Sequence, residues 1–268
     1  MRDEYSVLES ERRFHDQWAS SIDVGGIDVD RVFLGSTAPE NRFILSHLGD
    51  VSGKNLLDLG CGAGESSVFF ARRGARVVAG DLSEGMVETA RRLAGRYGLT
   101  IEGKVLNAME LDFPDNTFDV VYASNILHHV QEDRVLSEIH RVLKPGGLAC
   151  MWEPLRHNPV INIYRMIARR VRTPDEHPLD IRFVHRVEGL FSEVKWDAFW
   201  IATLWILVRF FLVERVNPNK ERYWRKIFTD EPRLRGTYYR LERIDNALKR
   251  MFPRVRRYAW TLAIVAKK

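Results

Sequence analysis

Cysteine is nearly absent. Cys61 and Cys150 are the only two in 268 residues, one in a glycine-rich turn and one in an expected strand, which excludes a disulfide framework and a thiolate zinc site. No other metal-ligating pattern stands out, and no metal is expected. An apolar leader is missing too: the opening stretch MRDEYSVLESERRF is charged, which speaks against a secretory signal and for a cytoplasmic location. The most membrane-like run, AFWIATLWILVRFFLV at 198–213, is shorter than the roughly twenty residues a span requires and contains Arg209. A transmembrane helix is disfavoured, while contact with a membrane surface stays open. No RNA-binding module is recognisable either. The formal net charge of +5 therefore stands alone as a hint of anionic partners, RNA or acidic lipid headgroups.

What is present centres on residues 55–67, NLLDLGCGAGESS. A short apolar run suited to a parallel strand ends in an acid and breaks into glycines at 60, 62 and 64, followed by a helix start. Such glycines let a backbone turn sharply and approach a ligand, which then meets open amides at a helix N-terminus. Further on, residues 76–79 read as a second strand ending in Asp81, about twenty residues past the turn. At that separation an acidic side chain can accept hydrogen bonds from a ribose. Ser83 suits a helix cap. Residues 118–123 suit a central strand, 132–143 a helix and 148–152 a fifth strand.

Four segments carry a family resemblance: DLGCGAG at 58–64, VVAGDLS at 77–83, NAMELDFPDNTFDVV at 107–121 and RVLKPGG at 141–147. In this order they resemble the motifs of class I S-adenosylmethionine-dependent methyltransferases, and the middle segment is most similar to the ubiquinone and menaquinone methyltransferases. The resemblance implies an α/β, Rossmann-like seven-stranded sheet with helices on both faces and strand seven antiparallel. It implies S-adenosyl-L-methionine as cofactor. It assigns the glycine turn to Asp58, Gly60, Cys61, Gly62 and Gly64, the ribose to Asp81, and the adenine to Leu82 and Met86. Asn107, Ala108 and Met109 would bracket the adenine ring, and Ser124 would meet the methionine portion.

Around that core the expected organisation is a helical lid at 1–50, with one helix over 5–19 whose apolar stripe ends at Phe14 and Trp18, and another over 39–48 opened by Pro39. The cofactor-binding core spans 51–199, with a substrate-side insertion at about 155–184. That insertion begins with a helix at 160–172, where Arg165, Arg169, Arg170 and Arg172 could meet an anion or simply face solvent. The last core helix is expected at 187–191 and strand six at 193–199. Residues 200–257 then form a long helical insertion, partly apolar and partly basic, before strand seven at 258–268. Relatives join strands six and seven by a short hairpin, so an insertion there must emerge over the active site. Within it, 238–252 reads as an amphipathic helix with Leu241, Ile244, Leu248 and Phe252 on one stripe.

A base is needed if the methyl acceptor is a hydroxyl or an acidic carbon. His15, His129, Glu153 and His157 are the candidates, although paired histidines at 128–129 resemble a sequence common across the family whatever the substrate. The leading expectation is methyl transfer to a hydrophobic or amphipathic small molecule such as a lipid, quinone or isoprenoid. The alternatives are an RNA methyltransferase and, from another class, a non-catalytic membrane-associated scaffold.

Overall fold

The computed structural model describes residues 4–168 and 176–268. Helices α1 (Glu4–Ala19), α2 (Val29–Leu34) and α3 (Pro39–Leu48) precede the first strand. An alternating series follows: β1 (Asn55–Leu59), α4 (Glu65–Ala71), β2 (Arg76–Asp81), α5 (Glu84–Arg96), β3 (Glu102–Val105), β4 (Phe118–Ser124), α6 (Glu132–Val142) and β5 (Leu143–Pro154). Then come α7 (Pro159–Ile167), α8 (Phe183–Glu188), β6 (Glu193–Phe199), α9 (Trp205–Leu212), α10 (Tyr223–Thr229), α11 (Glu231–Met251) and β7 (Thr261–Lys267). Local chemistry sets several of these boundaries. Pro39 and Pro159 sit in the first turns of α3 and α7, Ser83 caps α5 by accepting the Met86 amide, and Asn158 caps α7 by accepting that of Ile161. Gly74 leaves the α4 region with a left-handed φ of 82°.

The sheet runs β3-β2-β1-β4-β5-β7-β6. Strands β1 to β5 pair in parallel, and β7 inserts antiparallel between β5 and β6. The strand order reverses between β1 and β4, so their carboxyl ends border the crevice where ligands bind in open α/β sheets. One buried apolar cluster covers each face of the sheet. Leu57, Val121, Ile139 and Phe183 belong to one; Leu56, Phe69, Val120 and Leu93 belong to the other. Cys61 and Cys150 are both free and buried.

Several expected boundaries move. β5 begins at Leu143, with a register shift opposite Phe118 and Val120, because the Pro145-Gly146-Gly147 turn is taken up as an irregularity of the strand. α8 starts at Phe183, four residues earlier than expected, where Phe183, Val184 and Val187 are buried. α7 is described to Ile167; Arg169, Arg170 and Arg172 lie outside the described residues. β7 starts at Thr261, since 253–258 coils as a 3-10 turn behind Pro253.

The 200–260 segment has a core of its own, in which Trp200, Leu207, Phe210, Tyr223, Ile227 and Tyr238 pack together with Ile161 of α7. Helix α9 is two-faced: Ile206, Leu207 and Phe210 are buried, whereas Trp205, Phe211, Leu212 and Val213 after it are exposed. The expected stripe on α11 is also displaced. Ile244 and Phe252 are 48% and 59% exposed, and the buried positions are Glu231, Leu234, Tyr238, Asp245 and Lys249. Two polar residues displace two apolar ones because each finds a buried partner. The Asp245 carboxylate accepts the Ala202 amide at 2.5 Å and the Thr203 hydroxyl at 2.6 Å. The Lys249 ammonium donates to Asp197 at 2.6 Å and to the Ala198 carbonyl at 3.1 Å. The insertion is further tied to the N-terminal helices: Ser36 donates its hydroxyl and amide to Glu231, and Arg42 pairs with Glu242.

Replacing Asp245 by Ala strands the buried donors of 202–203. The variant should lose about 2–3 kcal/mol of unfolding free energy in urea, with most of it restored by Asn, which keeps an acceptor.

Candidate functional site

Among the described residues, a cavity of about 470 Å³ opens at the carboxyl ends of β1 and β4. The glycine turn forms one wall. Gly60 and Cys61 both donate their amides to the Gly80 carbonyl, at 2.8 and 2.9 Å, stitching the turn to β2. Each glycine has its own reason. A Cβ on Gly60 would strike the Ile126 side chain at 2.8 Å, and one on Gly64 would meet Ala90 of α5 at 2.6 Å, whereas one on Gly62 would meet no atom within 4 Å. All three have positive φ. Gly62 is thus the position where open space lies in front of bare backbone, as the approach of a ligand requires. Gly64, expected to face the cofactor, instead permits α4 and α5 to pack closely and does not line the cavity.

Asp58 is likewise moved from ligand contact to support. It is 1% exposed and accepts the hydroxyls of Ser66 and Ser67 at 2.6 and 2.5 Å, tying the end of β1 to the first turn of α4. Burial pushes its pKa up to about 6, against the pull of the two hydroxyls. Asp81 does line the cavity. Its Oδ2 accepts the Gly62 amide at 3.0 Å and its Oδ1 accepts the Ser83 amide at 2.9 Å, so the acid at the tip of β2 is held against the glycine turn. Burial raises its pKa, and these amides and the nearby His15 oppose the rise.

Leu82, Asn107, Ala108 and Ser124 also line the cavity, together with Gly60, Cys61 and Gly62. Met86 does not: it lies on the first turn of α5 and is fully buried in the core. Met109 does not either, because its amide is already given to Asn107 Oδ1 at 3.0 Å in a local turn. Of the candidate bases, His15 and His129 line the cavity, with ring centroids 6.1 Å apart. Burial lowers the pKa of His129. Glu153 and His157 are outside the cavity. Glu153, 2% exposed, accepts the Ile126 and Leu127 amides at 2.7 and 2.8 Å and holds the His128 ring through Nδ1 at 2.7 Å. These bonds hold the 126–128 turn in place, and burial raises the Glu153 pKa to about 7. His157 is occupied by Asp180 at 2.9 Å.

Other cavity residues carry no local signature. Helix α1 is latched over the crevice by Asp16, whose Oδ1 accepts the Ser83 hydroxyl at 2.5 Å and the Gly85 amide at 3.1 Å. Residue 16 gives no hint in sequence of partners nearly seventy positions away. Glu11, on the same helix, brings one carboxylate oxygen to 3.6 Å from His15 and 3.3 Å from His129. The ligand atoms of these three residues all lie within 4.8 Å of one another, a spacing that could hold a divalent ion, and the same is true of His128, His129 and Glu176. Glu65, in the first turn of α4, faces the cavity with a pKa raised by burial. The 200–260 segment contributes Trp200, Arg222, Trp224, Arg225, Ile227 and Phe228. Its wall is built from the approach to α10 and α10 itself; of the apolar run at 198–213, Trp200 alone reaches the cavity.

Glu40, also on the cavity wall, accepts the Trp200 indole N–H at 2.9 Å and the Thr261 hydroxyl. Burial raises its pKa from 4.5 to about 6. A folded-state pKa above the unfolded one contributes stability at low pH that is lost as pH rises through 4.5 to 6, about 2 kcal/mol for such a shift. Gln accepts the same two bonds without charge. Glu40→Gln should therefore be more stable than the parent by about 2 kcal/mol in urea unfolding at pH 7.5, and the gap should close at pH 4.

A family profile described as a methyltransferase domain matches residues 57–151. The chain is 43% identical over 120 residues to a demethylmenaquinone methyltransferase of Thermobifida fusca, covering 43% of this chain and 50% of that one. It is 32% identical over 143 residues to a sterol 24-C-methyltransferase of Pneumocystis carinii, covering 51% of this chain and 37% of that one. The chain thus spans half or less of the length of these curated relatives. A solved S-adenosylmethionine-dependent methyltransferase of Thermotoga maritima shares the fold, with a TM-score of 0.56 at 14% identity over 97% of this chain and 99% of that one. Residues 57–151 thus match a methyltransferase domain, the whole chain shares the fold of a solved S-adenosylmethionine-dependent methyltransferase, and S-adenosylmethionine is the cofactor that this kinship implies.

Proposed function

We propose that the chain methylates a hydrophobic or amphipathic small molecule of the quinone, sterol or isoprenoid kind. The observation that carries this reading is the continuity of the cavity. It begins at Gly62 and Asp81 and runs on between apolar and aromatic side chains of α1 and the 200–260 segment, among them Phe14, Trp18, Trp200 and Phe228. Relatives named for quinone and sterol methylation support the same substrate class. A nucleic-acid face finds less support, because much of the insertion's basic charge is engaged internally. Lys226 and Arg233 pair with Asp230, and Arg235 pairs with Glu231.

When bound, S-adenosylmethionine supplies a methyl group on a positively charged sulfonium. The protein's part is to hold the acceptor in line and keep water out. Gly60, Cys61, Gly62, Asp81, Leu82, Asn107, Ala108 and Ser124 would hold the cofactor. Asp58 keeps the glycine turn in shape from behind. His15 and His129 are the groups suited to take a proton from an acceptor, and Glu153 fixes the turn that carries His129. Helix α1, closed by Asp16, covers the crevice.

The reading extends to a membrane surface, from which such an acceptor would come. Among the described residues no helix is long and apolar enough to cross a membrane. Trp205, Phe211, Leu212 and Val213 are exposed, however, with the exposed Arg215 close in sequence. Exposed apolar side chains next to cations suit an interface of anionic lipid.

Gly62→Val and Asp81→Ala should each weaken binding of S-adenosylhomocysteine by at least about tenfold in calorimetry. Cofactor consumption should be stimulated by a lipid extract; stimulation by bulk RNA alone would overturn the substrate class. Leu212→Asp with Val213→Asp should abolish co-sedimentation with anionic vesicles while leaving cofactor affinity unchanged, and undiminished sedimentation would remove the membrane part of the reading.

A further inference from the structure

Arg222 immediately precedes α10 and reaches beneath the N-terminal helix. Its guanidinium carbon lies 3.9 Å from the centre of the Trp18 ring and 5.9 Å from that of Phe14. It lines the cavity and is half-buried, and that burial pushes its pKa down. Among the described residues no carboxylate hydrogen-bonds or ion-pairs with it. The acids nearby in sequence are turned to other cations: Glu221 and Asp230 to Lys226, and Glu214 to Arg209 and Arg233. Arg225, also on the cavity wall and exposed, has no ion-pair partner among the described residues either, and its charge depresses the Arg222 pKa further. Two guanidinium groups therefore line the cavity; the charge of Arg225 is felt by Glu65 on the same wall, whereas Arg222 has no ion-pair partner among the described residues.

A half-buried cation with only aromatic faces for company is incompletely compensated, because stacking on Trp18 replaces part of its hydration and no anion replaces the rest. Among the described residues no carboxylate supplies the complement to Arg222. Arginine presents a planar fork of donors that matches carboxylate and phosphate oxygens in pairs. The surroundings define the remainder of such a ligand: Phe14, Trp18, Trp224 and Phe228 offer an apolar body a surface next to the charge.

We propose that Arg222, with Arg225 beside it, binds the anionic headgroup of the methyl acceptor, making the substrate an acidic amphiphile that carries a carboxylate or phosphate rather than a neutral lipid. The inference rests on the methyltransferase reading of the same cavity and narrows its substrate class. The aromatic clasp has a second consequence. Trp18 belongs to α1 and also meets Trp224 edge to face at 6.1 Å, so a headgroup at Arg222 would bear directly on how α1 closes over the insertion.

The test uses three probes with one tail, decanol, decanoate and decyl phosphate, titrated into the full-length protein at low salt and followed by tryptophan fluorescence and calorimetry. The parent should bind one of the two anions at least about tenfold more tightly than decanol, and the preferred anion identifies the headgroup as carboxylate or phosphate. Arg222→Gln should remove that preference while leaving decanol binding, S-adenosylhomocysteine affinity and melting temperature unchanged; Arg222→Lys should retain part of it. The proposal is overturned if the parent does not distinguish the anions from decanol or binds none of the three. It is equally overturned if Arg222→Gln keeps the preference, or if that variant weakens S-adenosylhomocysteine instead, which would make Arg222 a contact of the cofactor. Because cofactor affinity is read separately, loss of the headgroup preference with cofactor binding intact leaves the methyltransferase reading standing.

Discussion

The site depends on a carboxylate that lies outside the cavity. Asp58 lies at the end of β1 in an apolar interior and is tolerated there because Ser66 and Ser67 give it two hydroxyl donors. These bonds clamp the strand end to the helix start, so the intervening glycines are held at left-handed angles instead of sampling them. Gly60 and Cys61 then grip β2, and the Gly62 amide holds Asp81 in place. A chain of short polar contacts thus passes from a buried acid to the acid that faces the cavity, and a disturbance at its start would be felt at its end.

The remaining architecture assembles walls on that fixed point. Helix α1 is fastened at Ser83 and Gly85, on the N-terminal end of α5, rather than by an apolar stripe alone. The insertion is self-supporting, with its own apolar cluster, and is moored to α3 and its preceding loop through Glu231 and Glu242. The Trp18–Arg222 stack joins lid to insertion across the opening. Buried carboxylates recur at each mooring, Asp58, Glu153, Asp245 and Glu40, and each accepts donors from the segment it positions.

Much of this is legible along the chain, and what is not fails for an identifiable reason. Apolar runs and glycine spacing announce the strands, and the distance from Gly62 to Asp81 announces the acid at the tip of β2, because both are consequences of local geometry. Asp58 and Asp81 look alike in sequence, each ending a strand. Only the tertiary fold decides that one turns toward serine hydroxyls behind the sheet edge and the other toward the cavity. Periodicity misreads α11 for a related reason: it rewards Ile244 and Phe252, whereas Asp245 and Lys249 are drawn inward by partners some forty to fifty residues earlier. The same distance hides Asp16, Arg222 and the Glu153–His128 contact, none of which has a partner within reach of a sequence window.

Phe199 and Thr261 face each other as register partners at the edge of the sheet. The whole of 200–260 therefore leaves and returns at neighbouring points, as a tight hairpin would, and the strands on either side need not adjust to what lies between. Such a joint behaves like a socket. The cassette plugged into it can be exchanged without disturbing the strands that frame the glycine turn, and the family match at 57–151 ends before the cassette begins.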